Sequence, residues 1–274
     1  TKLIPQHTEG ARVEEFSSKS RGKAYRLTIP VGPGNKYRLA QLDDYAQTPR
    51  SKFPLRFPQS LSLSARASSG SIPGTWGFGF WNHPFGLSLG FDGSGLRLPT
   101  LPNAVWFFHA SKENYLSFRD GSITPPTNGG SAPPSGTAQR DIAANGFLAQ
   151  VFRSPRFHPL LILAALAFPF SRRTARRLMG RVIGEDGINL SRVDQPVDPT
   201  QWHRYRLDWR AEGVSFEVDG AQLFESPVSP HPPLGLVIWI DNQYAAFTPE
   251  GRIGFGVLEN PEPAWLEIQD LELR

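Results

Sequence analysis

Short strand-like segments separated by turn residues recur along this chain, and they limit the folds that it can adopt. The segments TWGFGFW (75–81), AVWFFHA (104–110) and LGLVIWI (234–240) are aromatic or β-branched and are bounded by Gly, Pro, Asn or Ser. Glycine and proline, 26 residues each, are spread between such segments and do not form one tract. This pattern predicts an all-β sandwich or barrel.

The most specific pattern is WHRYRLDWRAEGVSFEVDGAQLFES, residues 202–226. Alternating apolar residues lead to a turn at Gly213, and a second alternating run ends at the turn Asp219-Gly220. The segment resembles a hairpin of the family 16 glycoside hydrolases and their concanavalin A-like relatives. Segments 74–81, 234–245 and 265–273 resemble further strands of that family, in the same order. The resemblance implies one antiparallel jelly-roll β-sandwich over residues 1–274, interrupted by a short helical insertion.

The resemblance also implies a catalytic strand of the form ExDxxE, on which alternation places the carboxylates on one face. The corresponding segment, 102–115, has no acidic residue within its strand. We therefore expect a carbohydrate-binding, lectin-like module that lacks the usual glycosidase carboxylates. One alternative is a glycoside hydrolase with relocated acids, for which Glu113, Asp92 and Asp241 are the candidates. Another is a binder of an apolar ligand at a membrane surface.

Aromatic and polar residues near the expected concave sheet form the candidate ligand site. Alternation places Ala104, Trp106 and Phe108 on one face of their strand, and His109 on the other. Flat rings stack against sugars or line apolar pockets, although each Trp is also a candidate core residue and Asp-Asn is also a turn initiator. The expected ligand-binding residues are Trp76, Trp81, Trp106, His109, Asp241, Asn242 and Tyr244.

Several classes of protein are disfavoured by what the sequence lacks. Without cysteine, neither a disulfide nor a thiolate metal site can form. No HxH or HExxH spacing occurs, so we expect no metal and no cofactor. The net charge is +4, but residues 142–184 contain seven arginines and no acid. Because no nucleic-acid-binding motif accompanies this local basicity, we expect no nucleic-acid partner.

Residues 155–183 differ from the rest of the chain and read as a helical amphipathic insertion. Pro155, Pro159 and Pro169 divide the stretch into an apolar piece, 160–168, and an arginine-rich piece. Three interpretations stay open: a helical hairpin packed on the sandwich, a hairpin lying in a membrane surface, or a cap over an apolar ligand. The expected contacts of the second interpretation, with an anionic membrane, are Leu160, Leu161, Leu163, Leu166, Phe168, Arg172, Arg173, Arg176, Arg177 and Arg181.

No apolar run approaches the ~18 to 20 residues that span a bilayer, so any membrane association would be peripheral. The cellular compartment and the ligand's identity do not follow from the sequence.

Overall fold

The structure, a computed structural model, describes residues 2–17, 23–84, 100–118 and 145–274. Its strands, in chain order, are β1 (Ile4–His7), β2 (Arg12–Ser17), β3 (Lys23–Ile29), β4 (Leu39–Asp43), β5 (Gln59–Ala67), β6 (Thr75–Trp81), β7 (Ala104–Ala110), β8 (Gly146–Arg153), β9 (Gly184–Asn189), β10 (His203–Trp209), β11 (Val214–Val218), β12 (Ala221–Ser226), β13 (Gly235–Asp241), β14 (Gln243–Phe247), β15 (Ile253–Val257) and β16 (Ala264–Leu273). The helices are α1 (Pro159–Ala167) and α2 (Arg172–Gly180), and Arg50–Lys52 form one turn of 3-10 helix.

Two seven-stranded antiparallel sheets make up the sandwich. The first sheet has the order β1-β4-β13-β6-β7-β8-β9, and the second has the order β12-β11-β10-β5-β16-β3-β2. Strands β14 and β15 form a separate two-stranded sheet. This architecture confirms the predicted all-β, antiparallel jelly-roll sandwich with a short helical insertion.

The principal hydrophobic core lies between the two sheets. Each strand contributes alternate residues, because successive side chains point to opposite faces. In the first sheet, Phe78 and Phe107 point inwards, and they meet Tyr205 from the second sheet at ring-centroid distances of 5.1 and 5.0 Å. Burying such aromatic side chains stabilises a fold by roughly 1.5–3 kcal/mol each.

The hairpin predicted over 202–226 is present as β10, β11 and β12 in the second sheet. Trp209 pairs with Val214 at the first turn, and Val218 pairs with Ala221 at the second. Both residues of the second turn, Asp219 and Gly220, have positive φ, 53° and 81°. Positive φ at both central positions is what a two-residue turn requires to match the twist of its strands.

Some strands differ from the sequence-based expectation. The composition of YLSFRD (115–120) is that of a strand, but its described residues, 115–118, form only an isolated bridge, between Tyr115 and Ala246. Conversely, β9 was not predicted, because GEDGIN combines two glycines with two acids and has Ile188 as its single β-forming residue. It is held in the sheet by its pairing with β8.

The insertion forms the two short helices that were predicted. Pro159 occupies the first turn of α1, where proline is tolerated, and the His158 side chain accepts a hydrogen bond from the Leu160 N–H. Ser171 caps α2 by accepting from the Thr174 N–H at 3.2 Å. Among the described residues, no helix has the length and apolar character to cross a bilayer.

Candidate functional site

The face of the first sheet that points away from the second sheet, here called the outer face, carries its own hydrophobic cluster. As predicted, Ala104, Trp106 and Phe108 of β7 lie together on one face and belong to this cluster. Val105 and Phe107 point the opposite way, into the core between the sheets. β7 itself contains no acidic residue, and its outer face is aromatic.

Three tryptophans form the centre of the outer-face cluster. The ring centroids of Trp81 and Trp239 lie 5.5 Å apart with an interplanar angle of 14°, and Trp106 lies 6.0 and 5.8 Å from these two rings. Phe108 stacks on Trp106 at 5.3 Å. Offset stacked and edge-to-face pairs at such distances are favourable beyond the area that they bury. The predicted site residues Trp81 and Trp106 therefore come together, and Trp239 joins them.

Two glycines of β6 make space for these rings. A Cβ atom on Gly77 would lie 2.9 Å from the Trp239 ring, and one on Gly79 would lie 2.6 Å from Cα of Trp106. Both distances are shorter than real Cβ atoms tolerate. The alternation of aromatic and glycine residues in TWGFGFW thus places large side chains on the inner face and leaves the outer face open to tryptophans from the neighbouring strands.

An unpaired donor and an unpaired acceptor lie side by side on this face. Trp106 and Gln150 are direct cross-strand partners on β7 and β8. The Nε1–H group of Trp106 and the Oε1 atom of Gln150 are both buried and have no hydrogen-bond partner among the described residues. Because an unsatisfied buried polar group costs about 1–3 kcal/mol, this pair is a candidate place for another polar group to bind.

The other end of the Gln150 amide is fixed. Its Nε2 atom donates to Glu185 on β9 at 3.2 Å, and the second carboxylate oxygen of Glu185 accepts from the Phe118 N–H at 2.7 Å. Phe118 and Met179 pack against the aromatic cluster from this side, together with Ile183. Glu185 therefore ties the covering segments to the sheet and orients Gln150, a role that the sequence analysis missed because β9 was not recognised.

The structure corrects the placement of two predicted ligand residues. Trp76 and His109 lie on the inner face, where their rings stack at 5.5 Å with an interplanar angle of 6°. Trp76 also contacts Phe147, at 5.0 Å, and belongs to the core between the sheets. Trp76 was expected on the concave sheet face, but its position in β6 directs it inwards, opposite Trp81. Since both residues are enclosed between the sheets, neither can contact a ligand on the outer face.

His109 is held in its neutral form by this location. Burial lowers the pKa of His109 to about 4, because the charged imidazolium is poorly solvated in the core. The Nε2 atom lies 3.2 Å from the carbonyl oxygen of Gly70, so this nitrogen carries the proton and donates it. Its Nδ1 atom has no partner. His109 is a core histidine, not a ligand.

Asp241 ends β13 on the outer face, beside the tryptophans. Its carboxylate accepts hydrogen bonds from the Thr75 hydroxyl at 2.7 Å and from the Tyr37 hydroxyl at 3.4 Å. Thr75 in turn accepts from the Trp239 indole N–H at 2.9 Å, so the carboxyl and the aromatic cluster form one network. Burial raises the pKa of Asp241 to about 7, because desolvation outweighs the hydrogen bonds that favour the carboxylate.

The two residues predicted to act with Asp241 have different roles. Asn242 is fully buried, its side chain accepts from the Arg38 N–H, and it donates to the carbonyls of Lys36 and Leu258. These bonds connect three chain segments and leave no group of Asn242 for a ligand, which corrects that prediction. Tyr244 is half-buried on β14, where its ring fills the space beside Gly256.

Besides Asp241, the described strands of the outer face carry two acids, Asp43 and Glu185, and neither lies close to Asp241. Asp43 lies four residues from Leu39, the partner of Asp241 across β4 and β13, so the two carboxylates are separated by roughly 13 Å. Glu185 lies four strands away from β13, about 19 Å. Retaining hydrolysis needs carboxyls ~5 Å apart. Glu113 lies in the turn after β7, and Asp92 falls outside the described residues.

Asp43 and Asp44, at the end of β4, are held by hydrogen bonds within the protein. The Asp43 side chain accepts from the Gln41 amide at 2.8 Å, from the amide of Gln6 and from the Ala46 N–H. Asp44 accepts from the Leu236 N–H at 2.9 Å. These bonds close the turn after β4, so the buried Asp43 is structural.

The arginine-rich helix α2 packs on the sandwich through an unexpected residue. Arg176 is completely buried: its guanidinium donates to the carbonyls of Phe247 and Ser117 at 2.9 and 2.8 Å and lies over the Tyr115 ring. The prediction that Arg176 contacts a membrane is therefore wrong, because these acceptors bind its charged group in the interior. Arg172, Arg173, Arg177 and Arg181 are exposed.

The apolar helix α1 lies farther out. Only Ala164 of this helix is buried, whereas Leu163, Leu166 and the following Phe168 are exposed. Leu160 and Leu161 are half-buried. Within the described part of the chain, no group of three or more His, Cys, Asp or Glu side chains is placed to hold a metal ion.

Known proteins resemble this chain in fold and hardly at all in sequence. No protein-family model matches the chain, and no curated protein matches it. Several solved structures that resemble it are glycoside hydrolases, and one of these belongs to family 16. The family 16 endo-glucanase of Bacteroides ovatus is 9% identical, with coverage of 99% of this chain and 94% of that one and a TM-score of 0.46.

Two further structures match in the same way. A glycoside hydrolase family protein from Mycobacterium thermorestibile is 12% identical, covers 99% and 92% of the two chains and has a TM-score of 0.44. The β-glucanase of Bacillus licheniformis is 10% identical, covers 98% and 97% and has a TM-score of 0.40. Similarity this low gives no information about activity, and the jelly-roll fold is established by the strand order of this chain itself.

Proposed function

We propose that this protein binds a carbohydrate on the outer face of the first sheet and does not hydrolyse it. The observation that carries the proposal is the unpaired Nε1–H of Trp106 beside the unpaired Oε1 of Gln150, next to stacked indole rings. A sugar presents both kinds of group that this surface complements: hydroxyls that donate and accept, and apolar C–H faces that pack on aromatic rings.

One sugar hydroxyl satisfies both unpaired atoms. Its oxygen accepts from the Trp106 indole N–H, and its proton is donated to Gln150. The Gln150 amide is already oriented by its bond to Glu185, so little conformational entropy is lost when the ligand binds. Trp106 and Gln150 are buried beneath residues 116–118 and the helical insertion, so we propose that this cover moves aside and that the ligand enters beside Tyr37 and Leu101, which border the cluster.

The non-catalytic assignment rests on where the acidic side chains lie. β7 has no acidic residue, and Asp43, Asp241 and Glu185 are each too far from the others along the sheet to act as a retaining pair. Asp241 alone has a property of a catalytic acid, a pKa raised to about 7. A glycoside hydrolase with relocated acids is therefore the second candidate, with Asp241 as its general acid and Glu113 as the acid to test beside it.

Binding is tested by screening the purified chain on a glycan array and measuring the best ligand by calorimetry. Trp106→Phe keeps an aromatic ring but removes the donor, and Gln150→Leu removes the acceptor. Each should weaken binding at least about fivefold, the loss expected for about 1 kcal/mol of hydrogen bonding. Trp76→Phe is the matched control: it removes an equally unpaired indole N–H from the inner face and should leave the affinity unchanged.

The outcomes separate the candidates. Absence of any glycan ligand, or equal loss of affinity in Trp106→Phe and Trp76→Phe, contradicts the proposed site. Release of reducing ends from laminarin, agar, carrageenan or mixed-linkage glucan that disappears in Asp241→Asn or Glu113→Gln replaces the binding module with the enzyme.

A further inference from the structure

Helix α1 and the residues that flank it expose a group of large apolar side chains. Phe170, between the two helices, is 91% exposed, and Phe157, before α1, is 72% exposed. Ile162, Leu163 and Leu166 on the helix are each more than half exposed. Monomeric soluble proteins rarely leave large apolar side chains in contact with water in such a group, so this surface indicates an interaction site.

A second element contributes to the same side of the molecule. The turn between β14 and β15 contacts the start of α2, where a Cβ on Gly251 would lie 2.6 Å from the backbone nitrogen of Arg173. Ile253 and Phe255, on one face of β15, are 41% and 72% exposed. Two elements that are distant in sequence therefore expose apolar side chains on either side of the contact between Gly251 and the start of α2.

Positive charge lies beside this apolar surface. Arg172, Arg173, Arg177 and Arg181 of the helical insertion are exposed, as is Arg252, which directly precedes β15. Glu250 is the acid of the adjacent turn, where Arg252 and Arg173 favour its charged form and help to lower its pKa after its hydrogen bond to Thr248. Cations next to an apolar surface complement an anionic lipid interface, which offers phosphates above acyl chains.

The arrangement of the helices fits this partner. Buried Arg176 fixes α2 to the sandwich, so the exposed arginines have a defined orientation relative to α1. α1 has nine residues, about 14 Å of helix, which is too short to cross a bilayer and suits a position in the plane of its surface.

We propose that α1, together with Phe170 and the exposed face of β15, docks on an anionic lipid surface, with the exposed arginines of α2 contacting the lipid headgroups. The proposal does not depend on carbohydrate binding, because the docking surface and the Trp106–Gln150 pair use different residues.

The test is flotation of the full chain with vesicles of phosphatidylcholine, with and without phosphatidylglycerol, at low and high salt. We expect binding only to the anionic vesicles and a decrease in binding as salt rises, because exposed charges are screened. The double variant Leu163→Asp, Leu166→Asp should lower the partition coefficient at least about tenfold. Val31→Asp is the control, since Val31 is equally exposed, at 57%, outside the docking surface.

A charge series tests the second half of the proposal. Arg173→Gln with Arg181→Gln should lower the partition coefficient about 30-fold, because each arginine near an anionic surface contributes about fivefold. Arg12→Gln with Arg192→Gln removes the same net charge from exposed positions on β2 and after β9 and should have little effect.

Three results would overturn the proposal. One is no binding to anionic vesicles at low salt. Another is equal loss of binding in the control variants and the docking-surface variants. The third is self-association of the free protein, seen by sedimentation and abolished by Leu163→Asp, Leu166→Asp, in the absence of vesicle binding, which would show that a second copy covers this surface.

Discussion

The two faces of the first sheet carry the same local arrangement in different surroundings. On the inner face Trp76 pairs across the strands with His109, and on the outer face Trp106 pairs with Gln150. In both pairs the indole N–H has no partner. The inner pair is enclosed by a second rigid sheet, whereas the outer pair is covered by residues 116–118 and the helical insertion.

This difference shows how one sheet separates stability from a candidate function. Inside, the unpaired atoms are a cost that stacking and burial of the surrounding aromatic residues outweigh. Outside, the same kind of unpaired atom lies beneath segments that are joined to the sheet by a few hydrogen bonds. Three experiments on the folded protein test this contrast.

The largest effect is expected from truncating the two tryptophans. Trp76→Ala should reduce the free energy of unfolding by about 3–5 kcal/mol, the usual cost of emptying a rigid core position. Trp106→Ala should cost less, because residues 116–118 and α2 can move into the space, and the penalty depends on how well a site collapses. Urea denaturation of both variants measures the difference. An equal or greater loss in Trp106→Ala would mean that the outer face is as rigid as the core.

The acid on the outer face should make the protein less stable as pH rises. The pKa of Asp241 is raised from 3.8 to about 7 in the folded chain, so between these values the folded state holds a proton that the unfolded state has released. Stability therefore falls as pH rises through this range, and the full cost, at most about 4 kcal/mol, is present above it. Asp241→Asn should abolish this part of the pH dependence.

The quantity to measure for Asp241→Asn is the difference in free energy of unfolding between the variant and the wild type at each pH. Asp44, whose pKa burial also raises to about 7, titrates equally in both proteins and drops out of that difference. If the free energies of unfolding of the two proteins differ by the same amount at every pH from about 4 to above 7, Asp241 is ionised in the folded state. It is then too well solvated to serve as a catalytic acid.

His109, on the inner face, should make the protein more stable as pH rises, by a somewhat smaller amount than Asp241 destabilises it. The pKa of His109 is lowered from 6.5 to about 4, so in this range the unfolded state binds a proton that the folded state excludes. The neutral imidazole makes its full contribution to the free energy of unfolding above pH 6.5. This contribution, at most about 3 kcal/mol, is lost as pH falls towards 4. His109→Gln, which keeps a donor for the Gly70 carbonyl, should flatten the acid side of the profile. An unchanged profile would show that the imidazole is reached by water.

The sequence predicted the fold better than it predicted which face of the first sheet each side chain occupies. Alternation in β7 correctly separated Trp106 from His109, because the period of a strand is two. The hairpin of β10, β11 and β12 was recognisable because Asp219-Gly220 favours a tight turn. Where a whole strand is buried, as in β6, the alternation is between two apolar faces, and for this reason Trp76 was placed on the wrong one.

The candidate site depends on contacts that a single sequence does not reveal. Gln150 acquires its importance from its register with Trp106 and from Glu185, on a strand whose single β-forming residue is Ile188. Arg176 reads as one more exposed arginine, because its carbonyl acceptors on Phe247 and Ser117 lie far away in the chain. The glycines of TWGFGFW were the available signal: small residues alternating with aromatic ones predict a close approach of other side chains.

The tryptophan cluster on the outer face also gives the protein an optical signature. The rings of Trp81, Trp106 and Trp239 lie within 6.0 Å of one another, close enough for their electronic transitions to couple. Such coupled indoles contribute paired bands of opposite sign to the circular dichroism spectrum, and these bands depend on the angles between the rings. A group that entered beside Trp106 and tilted one ring would therefore change the spectrum even if the strands did not move.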